Sequence, residues 1–198
     1  MSTIKVAITG NIGSGKSSFA DYLSSKGYPV LIADNISKEI LSSDEEVKTQ
    51  VIKEFGPDSF SGNKINNKFI ADKIFSNPEK LLTLNSILHP KVFTTIDSII
   101  ASKYDKDNIV FVEAALIFET GTENNFDYVV LITADDEIRL RRSVASNKFT
   151  EEEFKSRNRN QFPQEEKIKL ADFIFSNNSS KKDLFKKAEL LLLTLNKS

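Results

Sequence analysis

The chain contains no cysteine. That absence excludes disulfides, thiolate zinc sites and cysteine nucleophiles, and it fits a reducing compartment. It also lacks an excess of either charge: 27 basic and 28 acidic residues leave a net −1, so no overall field favours nucleic acid or an anionic membrane. No stretch reaches the roughly 18 consecutive apolar residues that mark a membrane span, and no N-terminal signal pattern is visible. Repeats, low-complexity tracts and linkers are missing too. The 198 residues suffice for one α/β domain with excursions and are too few for two full domains and a linker. The expectation is a soluble cytoplasmic protein, monomeric or weakly self-associating, that acts on a small molecule and binds neither nucleic acid nor membrane.

What is present is concentrated near the start. "GNIGSGKSS", Gly10 to Ser18, follows the apolar run Ile4 to Thr9 and precedes a helical segment. Gly10, Gly15, Lys16 and Ser17 satisfy the pattern G-x-x-x-x-G-K-[ST] in full. Glycines let the backbone turn where a Cβ would clash, so that successive N–H groups converge on an anion. The helix that follows adds its unpaired N–H groups and positive dipole end. In this reading Asn11, Ile12, Gly13, Ser14, Gly15, Lys16, Ser17 and Ser18 cradle the phosphates of a nucleotide. Lys16 reaches the β- and γ-phosphates as a point charge, and the Ser17 hydroxyl takes one position on Mg²⁺, a hard ion that prefers oxygen.

Strand and helix patterns alternate, as in a parallel sheet covered on both faces. Five short apolar runs predict strands at Ile4–Thr9, Val30–Ala33, Ile109–Glu113, Tyr128–Thr133 and Phe173–Phe175. Helices fill the intervals. Capping boxes at Ser43/Glu46 and Thr150/Glu153 open two of them, Pro90 and Pro163 suit first-turn positions, and Ser180 caps an amphipathic tail helix from Lys181 to Leu195. About 75 residues, 34–108, separate the second and third runs, more than a simple crossover requires. They read as several helices, including Lys68–Phe75 and Pro78–Leu88, and as an insertion that holds a substrate. The expected division is a core of 1–58, 104–138 and 171–198, a helical insertion of about 59–103 and a lid of about 139–170.

In parallel sheets ligands gather at the carboxyl ends of the strands, where several charged residues of this chain fall. Asp34 directly follows the second run; a carboxylate there orients an acceptor hydroxyl for in-line attack, or else caps the helix beginning near Asn35. Glu113 ends the third run, where an acid holds Mg²⁺ through water or pairs with a lysine. Glu119 follows in the same small turn, where it is expected to face the cleft and to bind the acceptor. His89, in "LHPKV", reads as structural on its residues alone. Arg139, Arg141, Arg142, Arg157 and Arg159 crowd a helical pair joined by "SNKF"; they clamp developing phosphate charge or form a solvated face with Glu151 to Glu153.

Taken together, "TGNIGSGKS", "ADNISKEI", "LHPKV", "EAALIFE", "RLRRSV…EEEFKSRNRNQ" and "ADFIFSN" make the chain resemble the dephospho-CoA kinase family from the phosphate loop nearly to its end. The resemblance implies a P-loop NTPase-type five-stranded parallel sheet flanked by helices, a helical insertion that binds the CoA moiety, and a helical lid. It implies transfer of the ATP γ-phosphate to the ribose 3′-hydroxyl of dephospho-CoA, with Mg²⁺. Position by position, Asp34 matches the family's catalytic aspartate, Arg142 and Arg157 match lid arginines, Asn177 matches an asparagine near the adenine, and the motif of His89 lies near the acceptor. Three departures stand out. Ile32 replaces the first acid of D-A-D, Asn11 stands where many members have a second glycine, and Ser146 occupies the place of a second lid arginine, with Lys148 as the nearest substitute cation. Runner-up readings are another small-molecule kinase on the same core, of nucleoside monophosphate or shikimate type, and a nucleotide-binding switch without catalysis.

Overall fold

The computed structural model describes residues 3–62, 64–75, 77–104, 108–146 and 149–196. Among these, the chain forms two compact units, one of 1–31 and 104–198 and the other of Ile32–Lys103.

The first unit is built on a five-stranded sheet. Its strands are β1 (Ile4–Thr9), β2 (Val30–Ile32), whose last residue belongs to the second unit, β5 (Ile109–Glu113), β6 (Tyr128–Thr133) and β7 (Phe173–Ser176), in the order β2-β5-β1-β6-β7. β1 pairs in parallel with β5 and with β6, and β6 with β7, in the registers Ile8↔Glu113, Ile8↔Val130 and Leu131↔Ile174. Val6, Ala7, Ile8 and Thr9 are completely buried, as the central strand of a doubly covered sheet must be. On one face α1 (Lys16–Ser25) and α9 (Lys181–Leu195) supply Phe19, Leu23, Leu184, Ala188 and Leu191 to a core shared with Val6, Ile8, Phe111, Val130 and Ile132. Three further helices follow β6: α6 (Asp136–Ala145), α7 (Glu151–Arg159) and α8 (Gln164–Ile168).

The second unit holds α2 (Ala33–Ser43), α3 (Glu45–Phe55), a two-stranded antiparallel hairpin of β3 (Phe60–Ser61) and β4 (Lys64–Ile65), α4 (Asn67–Phe75) and α5 (Pro78–Lys103). Leu84, Leu88, Val92, Ile96 and Ile100 recur every four residues on α5 and are all buried, which forms one continuous apolar stripe along the helix. The compact unit therefore begins at Ile32, upstream of the boundary expected near residue 59, because α2 and α3 pack on α5.

Three local expectations are corrected. Pro90 lies inside α5 and not in the first turn of a helix, so His89 is a mid-helix residue. α3 is capped by Asp44, whose Oδ1 accepts from the N–H groups of Glu46 and Val47 at 2.9 and 3.0 Å; Ser43 is the last residue of α2 and its hydroxyl donates back to the Glu39 carbonyl at 2.8 Å. α2 begins at Ala33 with Ile32 as its N-cap residue, so Asp34 lies in the first turn and is not the cap. The capping boxes at Thr150/Glu153 and at Ser180 are present, the latter completed by Asp183. Among the described residues no helix is long and apolar enough to cross a membrane. Lys148 lies outside the described residues.

Candidate active site

The phosphate loop leaves β1 at Gly10 and enters α1 at Lys16. Two of its glycines are demanded by what lies against them. Gly13 has φ +79°, and a Cβ there would stand 2.4 Å from the Arg139 carbonyl oxygen; Gly15 has φ +102°, and a Cβ would stand 2.3 Å from Asn177 Nδ2. Any side chain at either place meets both a left-handed backbone and a collision. Gly15 is also the N-cap of α1 and provides no side-chain cap, which leaves the first-turn N–H groups for an anion. Lys16 curls back over the loop, its buried Nζ donating to the Gly10 carbonyl at 2.9 Å. Ser17 is exposed directly after it.

A second set of residues holds this loop from outside. The Ile12 N–H donates to Gln161 Oε1 at 2.7 Å, and the Ile12 carbonyl accepts from Arg139 Nη1 at 3.2 Å. Asn11 Nδ2 donates to the Phe162 carbonyl at 3.0 Å. Asn177 Nδ2 donates to the Ser14 carbonyl at 2.8 Å, and its own carbonyl accepts from Arg142 Nη1 at 2.8 Å. Arg139 is only 2% exposed, and its guanidinium also meets Asn158 Oδ1 at 2.8 Å and Asp136 Oδ1 at 2.6 Å. Below this seam Glu119 Oε1 accepts from the Phe162 N–H at 2.8 Å and pairs with the fully buried Lys167 at 2.7 Å. Burial pushes the Lys167 ammonium below its ordinary pKa, and Glu119 partly restores it.

Of the residues singled out from sequence, Asn11 to Ser18, Glu119, Arg142 and Asn177 converge on or around the loop. Arg142 donates to the carbonyls of Asn177 and Ser179, at 2.8 and 3.5 Å; burial first, and the neighbouring Arg141 second, lower its pKa. Arg157 lies on α7 with its guanidinium 4.5 Å from the centroid of the Phe149 ring. Glu113 is half-buried at the end of β5. Asp34, exposed in the first turn of α2, and His89, half-buried on α5 with its pKa lowered by desolvation, belong to the helical unit. Ser146 closes α6, its hydroxyl donating to the Ser143 carbonyl at 2.9 Å. Sequence reasoning missed Gln161, Phe162 and Lys167 as members of the site, and it placed Arg139 in the arginine cluster without finding its contact with the loop. Their partners lie up to 151 positions away in the chain, beyond any local pattern.

A glycine loop that joins the central strand of a parallel sheet to the helix after it, closed by a lysine and a serine, defines a P-loop NTPase-type fold. The comparisons with known proteins narrow the class. A family model described as dephospho-CoA kinase matches residues 4–183, and the chain belongs to the dephospho-CoA kinase family. It is 36% identical to a dephospho-CoA kinase of Fusobacterium nucleatum over 98% of this chain and 100% of the relative. Among solved structures it is similar to TT1252 from Thermus thermophilus, with a TM-score of 0.83 at 33% identity, over 98% of this chain and 99% of the other. It is also similar to a dephospho-CoA kinase from Campylobacter jejuni, with a TM-score of 0.71 at 28% identity, over 98% and 97% of the two chains.

Proposed function

We propose that the protein transfers the γ-phosphoryl group of ATP to the ribose 3′-hydroxyl of dephospho-CoA, giving CoA and ADP. The observation that carries this reading is the loop itself: a buried Lys16 ammonium seated over glycines that no other residue could replace, in a chain of this family. The hydroxyl oxygen forms a bond to the γ-phosphorus as the bond from that phosphorus to the ADP oxygen breaks, and the hydroxyl proton leaves late. Asp34 orients the hydroxyl and receives the proton. Because the hydroxyl proton leaves late in a loose phosphoryl transfer, orientation is the larger contribution of Asp34. Lys16 and the loop N–H groups spread the charge of the phosphates. Arg142, docked on the carbonyls of Asn177 and Ser179, serves the base end of the nucleotide together with Asn177, and Arg157 and His89 serve the acceptor. Glu119, expected at the acceptor, has one oxygen committed to Lys167 and Phe162, and in our reading anchors the lid's return.

Mg²⁺ fits the residues present. Ser17 is exposed at the first turn of α1, beside the loop N–H groups that are left for an anion, where its hydroxyl can meet an ion carried in with the phosphates. Bound there, with Ser17 as its protein ligand and Glu113 acting through water, the ion would neutralise charge on the β- and γ-oxygens. The test is ADP release from Mg²⁺-ATP with and without dephospho-CoA. Turnover that requires dephospho-CoA supports the reading. Turnover with shikimate or a nucleoside monophosphate in its place, or ATP binding with no acceptor-dependent turnover, overturns it.

A further inference from the structure

Both polar groups of one loop residue, Ile12, are taken by side chains that come from outside the loop. Gln161 accepts from its N–H at 2.7 Å, and Arg139 donates to its carbonyl at 3.2 Å. Gln161 lies just after α7 and Arg139 on α6, so the two arms of the lid segment meet the loop at the same residue, one at its N–H and the other at its carbonyl. The grip is reinforced on each side: Asn11 Nδ2 reaches the Phe162 carbonyl, while Ser143 donates to the carbonyl of Arg139 at 2.8 Å and Asn158 and Asp136 hold its guanidinium. Arg139 is kept 2% exposed even though its Nε has no hydrogen-bond partner among the described residues, a desolvation cost that the other contacts must offset.

We propose that Gln161 and Arg139 are positioning residues for the phosphate loop: by fixing the peptide groups on either side of Ile12 they hold the loop's N–H groups converged for the triphosphate before it binds. The proposal rests on the reading that this loop binds ATP. A loop with several positive-φ glycines has many accessible conformations, and ordering it at the moment of binding would cost affinity. Gln161 and Arg139 act through the backbone, and the energy they add appears in ATP affinity alone. The acceptor is bound elsewhere and does not feel them.

The experiment compares the wild type with Gln161→Met, Arg139→Lys and the double variant. Equilibrium binding of Mg²⁺-ATP is measured first, then KM for each substrate, and the thermal transition without ligand. Gln161→Met keeps the length of the side chain and removes the acceptor. It is expected to raise Kd and KM for ATP by about tenfold, to leave KM for dephospho-CoA within twofold, and to leave the ligand-free thermal transition in place. Arg139→Lys reaches fewer acceptors and is expected to weaken ATP similarly. Since both act on one residue, the double variant is expected to be little worse than the poorer single one. Unchanged ATP affinity in Gln161→Met, a parallel rise in both KM values, or multiplicative effects in the double variant overturns the proposal. The binding measurement needs no acceptor, so a wild type that binds ATP without turning over dephospho-CoA counts against the proposed reaction and still reads this inference; a wild type that does not bind ATP overturns both.

Discussion

In the proposed reaction Lys16 and Asp34 divide two tasks between them. Lys16 lies over the loop with Nζ on the Gly10 carbonyl, and in that reading its charge serves the phosphates more than its contacts serve the core. Lys16→Ala is expected to lose roughly two to three orders of magnitude in turnover, the span of a removed electrostatic stabiliser, and to keep a cooperative thermal transition. Asp34 is exposed in the first turn of α2, in the unit that does not contain the loop. Asp34→Asn is expected to bind Mg²⁺-ATP as the wild type does and to lose about 10² to 10⁴ in turnover, the range of a positioned acid–base group. A matching loss of ATP affinity, measured by calorimetry, would assign Asp34 to the metal or to the fold instead.

At the scale of elements, the caps are the places where pH acts on structure. The Asp44 carboxylate lies below its ordinary value of 3.8, chiefly because the Val47 N–H donates to it, with Lys91 and the Glu46 N–H adding to the effect and burial opposing it. A folded-state value below the unfolded one stabilises fully above 3.8 and is lost as the pH falls through the folded value. Asp44→Ala is therefore expected to melt at a lower temperature than the wild type near neutral pH, with the gap closing in acid; a gap that persists there would assign the effect to packing. The same elements show what the sequence could disclose. β1, β5, β6 and α9 lie at the bounds expected from their apolar runs and caps, because a buried strand or a capped amphipathic helix declares itself within its own residues. Pro90 misled for the opposite reason. A proline disfavours helix in the residue before it, yet the buried stripe from Leu84 to Ile100 runs through it, and that tertiary packing outweighs the local signal. The loop residues were readable from their spacing. Gln161, Lys167 and the loop contact of Arg139 were not, since what makes these three part of the site is an N–H, a carboxylate and a carbonyl from distant segments.

For the whole molecule, the division into two units carries a prediction of its own. The loop and its braces lie in the sheet unit, and Asp34 and His89 in the helical one. Hydrogen exchange on the full chain should therefore answer differently to the two substrates: ATP is expected to protect amides around 10–18, 158–162 and 177–179, and dephospho-CoA to protect amides within 32–103. A single pattern for both ligands would contradict the assignment of substrates to units. The order of the strands has a consequence for how the chain comes into being. β1 precedes β5 and β6 in the chain by the whole helical unit, and among the described residues it pairs with those two strands, so that during synthesis Ile4 waits for Ile109 and Val6 for Tyr128. At about 5 to 20 residues added per second, the ribosome takes roughly 5 to 20 seconds to supply the partner of the central strand. The helical unit is contiguous and can complete its contacts within that interval. During the wait Ile4–Thr9 has α1 beside it but no strand partner, and an unpaired strand of this kind is the surface that a chaperone recognises.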